Sequence, residues 1–286
     1  MLENKDNSLA RIASLFFCSR LKSSGLTGGW PGCGETGASK PLRRRVFPAV
    51  VFTAFLCSAF RLYGQGDSGN ANAGYADAPA APGAVFSGSR DKPRVALTFD
   101  ACPVQGQGGS YDRGIIDLLI RTQTRATLFL SGKWMRDHTD ETRDLSGNPL
   151  FELGNHSFSH PHLGRLTNQK ISEELKNTQD LLFRMTGRTA RFFRPPYGES
   201  DPRIERIAGE TGLVTVLYDL ASGDPDTAAS GIRLVRHVLR HARNGSIIVF
   251  HMNGRGWHTA EALPEIIRRL REKGFSLCTV GEITGN

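Results

Sequence analysis

Residues 150–160 read Leu150-Phe151-Glu152-Leu153-Gly154-Asn155-His156-Ser157-Phe158-Ser159-His160. The run from Leu150 to Gly154 reads as a short strand. Two imidazoles, His156 and His160, follow it four residues apart. On one turn of helix that spacing puts both rings on the same face, where they can grip one metal ion. The position just past a strand end is where α/β folds keep their chemistry. An isolated H-x3-H also arises by accident in polar loops, so its weight comes from the chain on either side.

Outward from this stretch, strand and helix patterns alternate. Residues 94–99, 126–130, 191–193, 213–218, 246–250 and 275–280 are short apolar or β-branched runs that read as strands, making seven with 150–153. Helical periodicity covers 112–123, with Ile115, Ile116, Leu119 and Ile120 in phase. It covers 167–185 with Ile171, Leu175, Leu182 and Met185, stopped by Gly187. Asp201-Pro202 opens a further helix as cap and first residue, ended by Gly212. Residues 232–242 and 259–273 complete the set, the last stopped by Gly274. Alternation of this kind predicts a parallel α/β sheet or barrel.

The residues that follow the strands are not a random sample. Thr98-Phe99-Asp100-Ala101-Cys102-Pro103 closes the first strand, and the histidine pair follows the third. Arg194-Pro195-Pro196-Tyr197-Gly198 follows the fourth, Asp219 to Asp226 the fifth, and His251 ends the sixth. In a parallel barrel these ends converge on one face. A carboxylate, three imidazoles and a guanidinium there would equip metal-assisted hydrolysis: a Lewis acid, a base for water and an acid for the leaving group. Each has a plainer reading, as a helix cap, a surface charge or a core histidine. Together those readings require several coincidences.

V-A-L-T-F-D, H-S-F-S-H, R-P-P-Y-G and I-V-F-H, in this order, resemble the motifs of the NodB-type polysaccharide deacetylases, carbohydrate esterase family 4. The resemblance spans about residues 93–282. It implies a distorted (β/α)7 barrel and hydrolysis of N-acetyl groups on amino-sugar polysaccharide or oligosaccharide, peptidoglycan or chitin-like. It also implies a divalent metal, usually zinc, held by His156 and His160. By the same resemblance Asp100 is the general base that activates the attacking water and His251 the general acid. Arg194 orients Asp100, the Tyr197 N–H helps stabilise the oxyanion, and Asp224 tunes His251. Two departures stand out. The family's first motif is T-F-D-D-G, and its second Asp is the third metal ligand; here that place holds Ala101, followed by Cys102. The fourth motif usually ends Asp-Trp, where this chain has Asp224-Pro225. Trp257 is the expected substitute for that apolar wall, and Asn253, His258 or a swung Asp100 the expected substitutes for the lost ligand.

The 286 residues contain 39% hydrophobic and 22% charged residues, within the soluble globular range. Of the net charge of +8, residues 1–66 hold +6, with nine Lys/Arg against three Asp/Glu. The basic balance is thus mostly N-terminal, and it argues against nucleic-acid binding by the folded part. Residues 1–45 read as a disordered or misassigned extension. Residues 46–63 follow Arg43-Arg44-Arg45 and read as an export signal or a segment that contacts and anchors to membrane. Residues 64–92 read as a Gly/Ala/Pro linker, and 93–286 as the catalytic domain of an exported protein. Cys102 and Cys278 stand as either a pair or two free thiols. Two other functions stay open at this level: a C–N hydrolase on a small non-sugar amide, and a catalytically weak carbohydrate-binding relative, which Ala101 makes plausible.

Overall fold

The computed structural model describes residues 83–104 and 109–285. The expected extension, signal or anchor segment and most of the linker lie outside them. Eight strands are found among the described residues: β1 (Arg94–Ala101), β2 (Ala126–Leu130), β3 (Phe151–Asn155), β4 (Phe192–Phe193), β5 (Val214–Thr215), β6 (Leu220–Ala221), β7 (Ser246–His251) and β8 (Ser276–Cys278). Eight helices accompany them: α1 (Arg113–Arg121), α2 (Gly132–Asp137), α3 (Thr139–Gly147), α4 (Asn168–Thr186), α5 (Pro202–Glu210), α6 (Gly231–His241), α7 (Thr259–Glu272) and α8 (Val280–Thr284).

All the strand pairs are parallel, in the order β5-β4-β3-β2-β1-β7-β6, with β8 added against the start of β1. This order forces curvature. If flat, six inter-strand steps would part β5 from β6 by about 29 Å. The five residue steps from Thr215 to Leu220 reach at most about 18 Å. The sheet therefore curls into a half-barrel and brings its two edges together.

Strand alternation sorts the side chains into two layers. Val95, Leu97 and Phe99 of β1 join Ala126, Leu128 and Leu130 of β2 and Ile248 and Phe250 of β7 in the core beneath the helices. Ala96, Phe129, Phe192 and Ile247 point the other way and fill the barrel with Val280 and Ile283. Asp100 has the parity of Ala96, His251 that of Ile247, and Arg194 that of Phe192. The inner face at the C-terminal ends of the strands thus receives the carboxylate, the imidazole and the guanidinium.

Several helix ends match the sequence signals. Asp201 accepts from the Ile204 N–H at 2.8 Å with Pro202 at the first helical position, and Gly187 ends α4 at φ +70°. Four features depart from expectation. The segment 131–149, left without structure by its sparse apolar pattern, forms α2 and α3, the first capped by Ser131. The strand expected over 213–218 is cut to two residues, and β6 forms inside the expected loop. The last strand gives way to α8, started by a capping box between Thr279 and Glu282. Finally, ordered structure begins before Pro93. The Val85 N–H donates to Thr215 O, Leu217 N–H donates to Val85 O, and Val85 packs against the barrel interior. No helix among the described residues is long and apolar enough to cross a membrane.

Candidate active site

A cavity of about 190 Å³ opens at the C-terminal ends of the strands, lined by Asp100, Cys102, His156, His160, Tyr197, Asp224, His251 and Arg255 among others. All seven residues singled out from sequence except Arg194 line it, and Arg194 lies directly beneath.

Asp100 and Arg194 form its buried base. Arg194, 1% exposed, donates from Nη1 to Asp100 Oδ1 at 2.8 Å and to Thr98 Oγ1 at 2.8 Å, and from Nη2 to Leu217 O at 3.2 Å. Its guanidinium lies 4.1 Å from the centroid of the Phe129 ring. Phe129 can occupy that place because Gly154 has no side chain: a Cβ there would come within 2.4 Å of the ring. Burial pushes the Asp100 pKa up, but the positive charge around it, that of Arg194 foremost, outweighs it, and the net direction is down. The carboxylate is ionised at neutral pH, with Oδ2 left facing His156 Nε2 at 3.8 Å.

His156 and His160 are brought together, but not by a helix. They sit in a loop after β3, with Ser157 at φ +60° and His160 at φ +61°. Left-handed backbone at non-glycine residues is uncommon, and here other groups hold it. Asn155 Oδ1 accepts the Ser157 N–H, while its Nδ2 donates to Leu175 O on α4. Glu174, also on α4, accepts the N–H groups of Phe158 and Ser159 at 2.8 and 2.7 Å. Nδ1 of His156 lies 2.8 Å from Arg194 O. A carbonyl only accepts, so Nδ1 carries the proton and Nε2 keeps a free lone pair facing the cavity. Burial lowers the pKa of both rings, that of His160 to about 3. Both are neutral, as metal ligands must be.

His251 is held from behind by Asp224, which is 1% exposed. Asp224 Oδ1 lies 2.9 Å from His251 Nδ1, and Oδ2 accepts the His251 backbone N–H at 2.7 Å. Ser222 and Thr259 hydroxyls donate to the same carboxylate and fix it. Burial pushes the His251 pKa down, but the hydrogen bond and charge of Asp224 outweigh it and raise it. The opposite ring nitrogen is left to exchange a proton within the cavity. Tyr197 stands at the rim, half exposed, with φ +61° and its ring stacked on His162 at 4.1 Å.

Three substitutes expected from sequence are not found at the cavity. Trp257 is 59% exposed and does not line it. His258 pairs with Glu261 at 3.1 Å on the first turn of α7. Asn253 is buried, but its amide donates to Cys102 O at 2.7 Å and Cys102 Sγ at 3.2 Å. Cys102 and Cys278 are both buried and free. Cys102 Sγ and a ring nitrogen from each of His156 and His160 lie within 4.8 Å of one another, the donor cluster found among the described residues. Burial and the Asp100 charge push the Cys102 thiol up to about 12. Sequence reading missed Cys102, Glu174 and Arg255. Only Cys102 carried a signal, since it shares the parity of Thr98 and Asp100.

A family model described as polysaccharide deacetylase matches residues 87–216. A Bacillus subtilis protein named YlxY is 31% identical over 202 residues, covering 71% of this chain and 60% of that protein. The chain therefore spans less than two thirds of that relative's length. A Bacillus cereus protein named peptidoglycan-N-acetylglucosamine deacetylase is 30% identical over 199 residues, 68% of this chain and 70% of that protein. Among solved structures, a Bacillus anthracis protein described as a CE4 family pseudoenzyme superposes with a TM-score of 0.64 at 26% identity, covering 71% of this chain and 69% of that one. A mutant of it, described as having restored enzymatic activity, gives 0.65 at 27% identity, covering 71% of each chain.

Proposed function

This chain belongs to the polysaccharide deacetylase family, and on that premise we propose that it hydrolyses the N-acetyl groups of an amino-sugar polysaccharide, peptidoglycan first among them. The donors fit a divalent ion of zinc's kind: two neutral imidazoles, His156 with its lone pair facing the cavity, and a thiol nearby. Held by His156 and His160, such an ion would supply Lewis-acid polarisation of the acetamide carbonyl.

The remaining chemistry falls to the chain. Asp100, ionised and held at Oδ1 by Arg194, takes a proton from the attacking water on Oδ2. Water oxygen bonds to the acetyl carbon, and the C–N bond breaks. His251, positioned through Nδ1 by Asp224, gives a proton to the departing sugar nitrogen from its other ring nitrogen. The products are acetate and a free amine. The Tyr197 N–H, on its strained turn at the rim, is suited to the developing oxyanion. A peptidoglycan substrate would put the site of action outside the cytoplasm, in keeping with the export reading of residues 46–63.

The observation that carries this reading is that one cavity is lined both by Asp100, held by Arg194 at 2.8 Å, and by His251, held by Asp224 at 2.9 Å. Acetate release from peptidoglycan, chitin oligomers and a small non-sugar amide tests it. Release from the glycans alone is expected; release from the small amide alone would replace the substrate class. A second reading, a carbohydrate-binding relative without turnover, is favoured by Ala101 and by the likeness to the pseudoenzyme. Glycan binding without acetate release would select it.

A further inference from the structure

We propose that Cys102 is the third protein ligand of the metal site, its thiolate standing in for the carboxylate lost at Ala101. The proposal rests on the hydrolase reading only in requiring that His156 and His160 hold a metal ion. Ala101 faces away from the cavity, into the core under the helices, and offers no donor. Cys102 is one residue on, with the inward parity of Asp100, and lines the cavity. Its sulfur lies within 4.8 Å of a ring nitrogen of each histidine. Tetrahedral zinc with bonds of about 2.3 Å to sulfur and 2.0–2.1 Å to nitrogen sets the ligand atoms about 3.4–3.6 Å apart. An inward shift of roughly 1 Å closes the cluster.

Three further observations favour sulfur over the alternatives. Asp100, whose Oδ1 is taken by Arg194 at 2.8 Å, has only Oδ2 to offer, and ligation through Oδ2 would cost the site the oxygen that takes the proton from water. Asn253, 1% exposed, already aims its amide N–H at Cys102 Sγ at 3.2 Å. This is the outer-shell hydrogen bond that a coordinated thiolate accepts and a buried thiol uses weakly. One thiolate with two neutral imidazoles also gives the same net charge as one carboxylate with two imidazoles. The divalent ion is thus as well neutralised as in the family's usual set, and Asp100 stays free as base. On binding, the thiol proton leaves to solvent and the sulfur lone pair bonds the metal. A thiolate donor shifts preference toward zinc and cobalt and away from magnesium, calcium and manganese.

Cobalt loading of the full-length protein tests this without reference to activity. The expected result is a near-ultraviolet thiolate-to-cobalt charge-transfer band, absent in Cys102→Ala and in His156→Ala. Zinc retention against a competing chelator should fall in Cys102→Ala by more than the roughly 10–100-fold that loss of an outer-shell partner costs. Cys102→Asp, which keeps an anionic donor at the inward-facing position, should hold zinc more tightly than Cys102→Ala and show no such band. Cobalt bound by the unmutated protein with no thiolate band, and zinc held equally by Cys102→Ala, would overturn the ligand assignment and leave the hydrolase reading standing. A thiolate band surviving in His156→Ala would place the metal elsewhere and overturn it too. Failure of the unmutated protein to bind either ion would remove both readings. The spectrum of the unmutated protein needs no substitution, so a variant that fails to fold does not decide the outcome.

Discussion

Replacing Gly154 by alanine should damage both stability and catalysis, although residue 154 touches no substrate. The added Cβ would lie 2.4 Å from Phe129 Cδ1 and 2.6 Å from Cε1. Phe129 is fully buried between the β3 backbone and the Arg194 guanidinium, so the ring can move only toward Arg194. Overpacking of this kind costs about 1–3 kcal/mol. For a domain of this size that lowers Tm by roughly 2–12 °C, at about 2–4 °C per kcal/mol. The same push displaces Arg194, which holds Asp100 by one 2.8 Å bond. A shift near 1 Å at a positioned group costs about 10²-fold in rate. Differential scanning calorimetry and acetate release would be read together on Gly154→Ala, Phe129→Leu and the double variant. The double variant should recover part of the stability, because the slimmer side chain vacates the ring's edge. A single variant within 1 °C of wild type, or a double variant no better than the sum of the two singles, would refute the coupling.

Asp224→Asn should move the alkaline limb of the pH–rate profile to lower pH. His251 acts protonated, so activity is present below its raised pKa and is lost as pH rises through it; removing Asp224's charge leaves burial to lower that pKa, and an unmoved limb would exclude His251 as the acid. Asp100→Asn should cut turnover by about 10²–10⁴, checked by acetate release. It should also lower Tm, because it leaves the 1%-exposed Arg194 without its charge partner. A chain begun at Gly83 should melt higher than one begun at Pro93, since only the former keeps the Val85 bonds to Thr215 and Leu217; equal melting temperatures would show that this segment is dispensable.

The fold was legible where local pattern and tertiary context agree. The apolar runs of β1, β2 and β7 and the capped helices α4 and α5 stand close to their sequence limits, and the motif residues of those strands share the parity that turns them inward. What could not be read depends on long-range closure. The two-residue strand β6 exists because the curled sheet brings its edges together, and no local pattern marks it; the run 213–218 marks β5 but not its shortness. The histidine pair was found for a wrong local reason: a left-handed loop held by Glu174 and Asn155 aligns the rings, not a helical turn. Asp224 behind His251 came with the family resemblance, whereas the anchoring hydroxyls of Ser222, just after β6, and Thr259, at the start of α7, leave no trace in spacing. Cys102 was seen only as one of two thiols, because its meaning depends on its distance from imidazoles more than fifty residues away.

Mass spectrometry of N-acetylated glycan oligomers incubated with the zinc-loaded protein, before and after chelation, bears most directly on whether this cavity hydrolyses acetamides. The expected result is loss of acetyl groups from the sugar with matching free acetate, stopped by the chelator, restored by zinc or cobalt and absent in Asp100→Asn. Intact oligomers across peptidoglycan and chitin-like substrates, with the zinc shown to be bound, would contradict it.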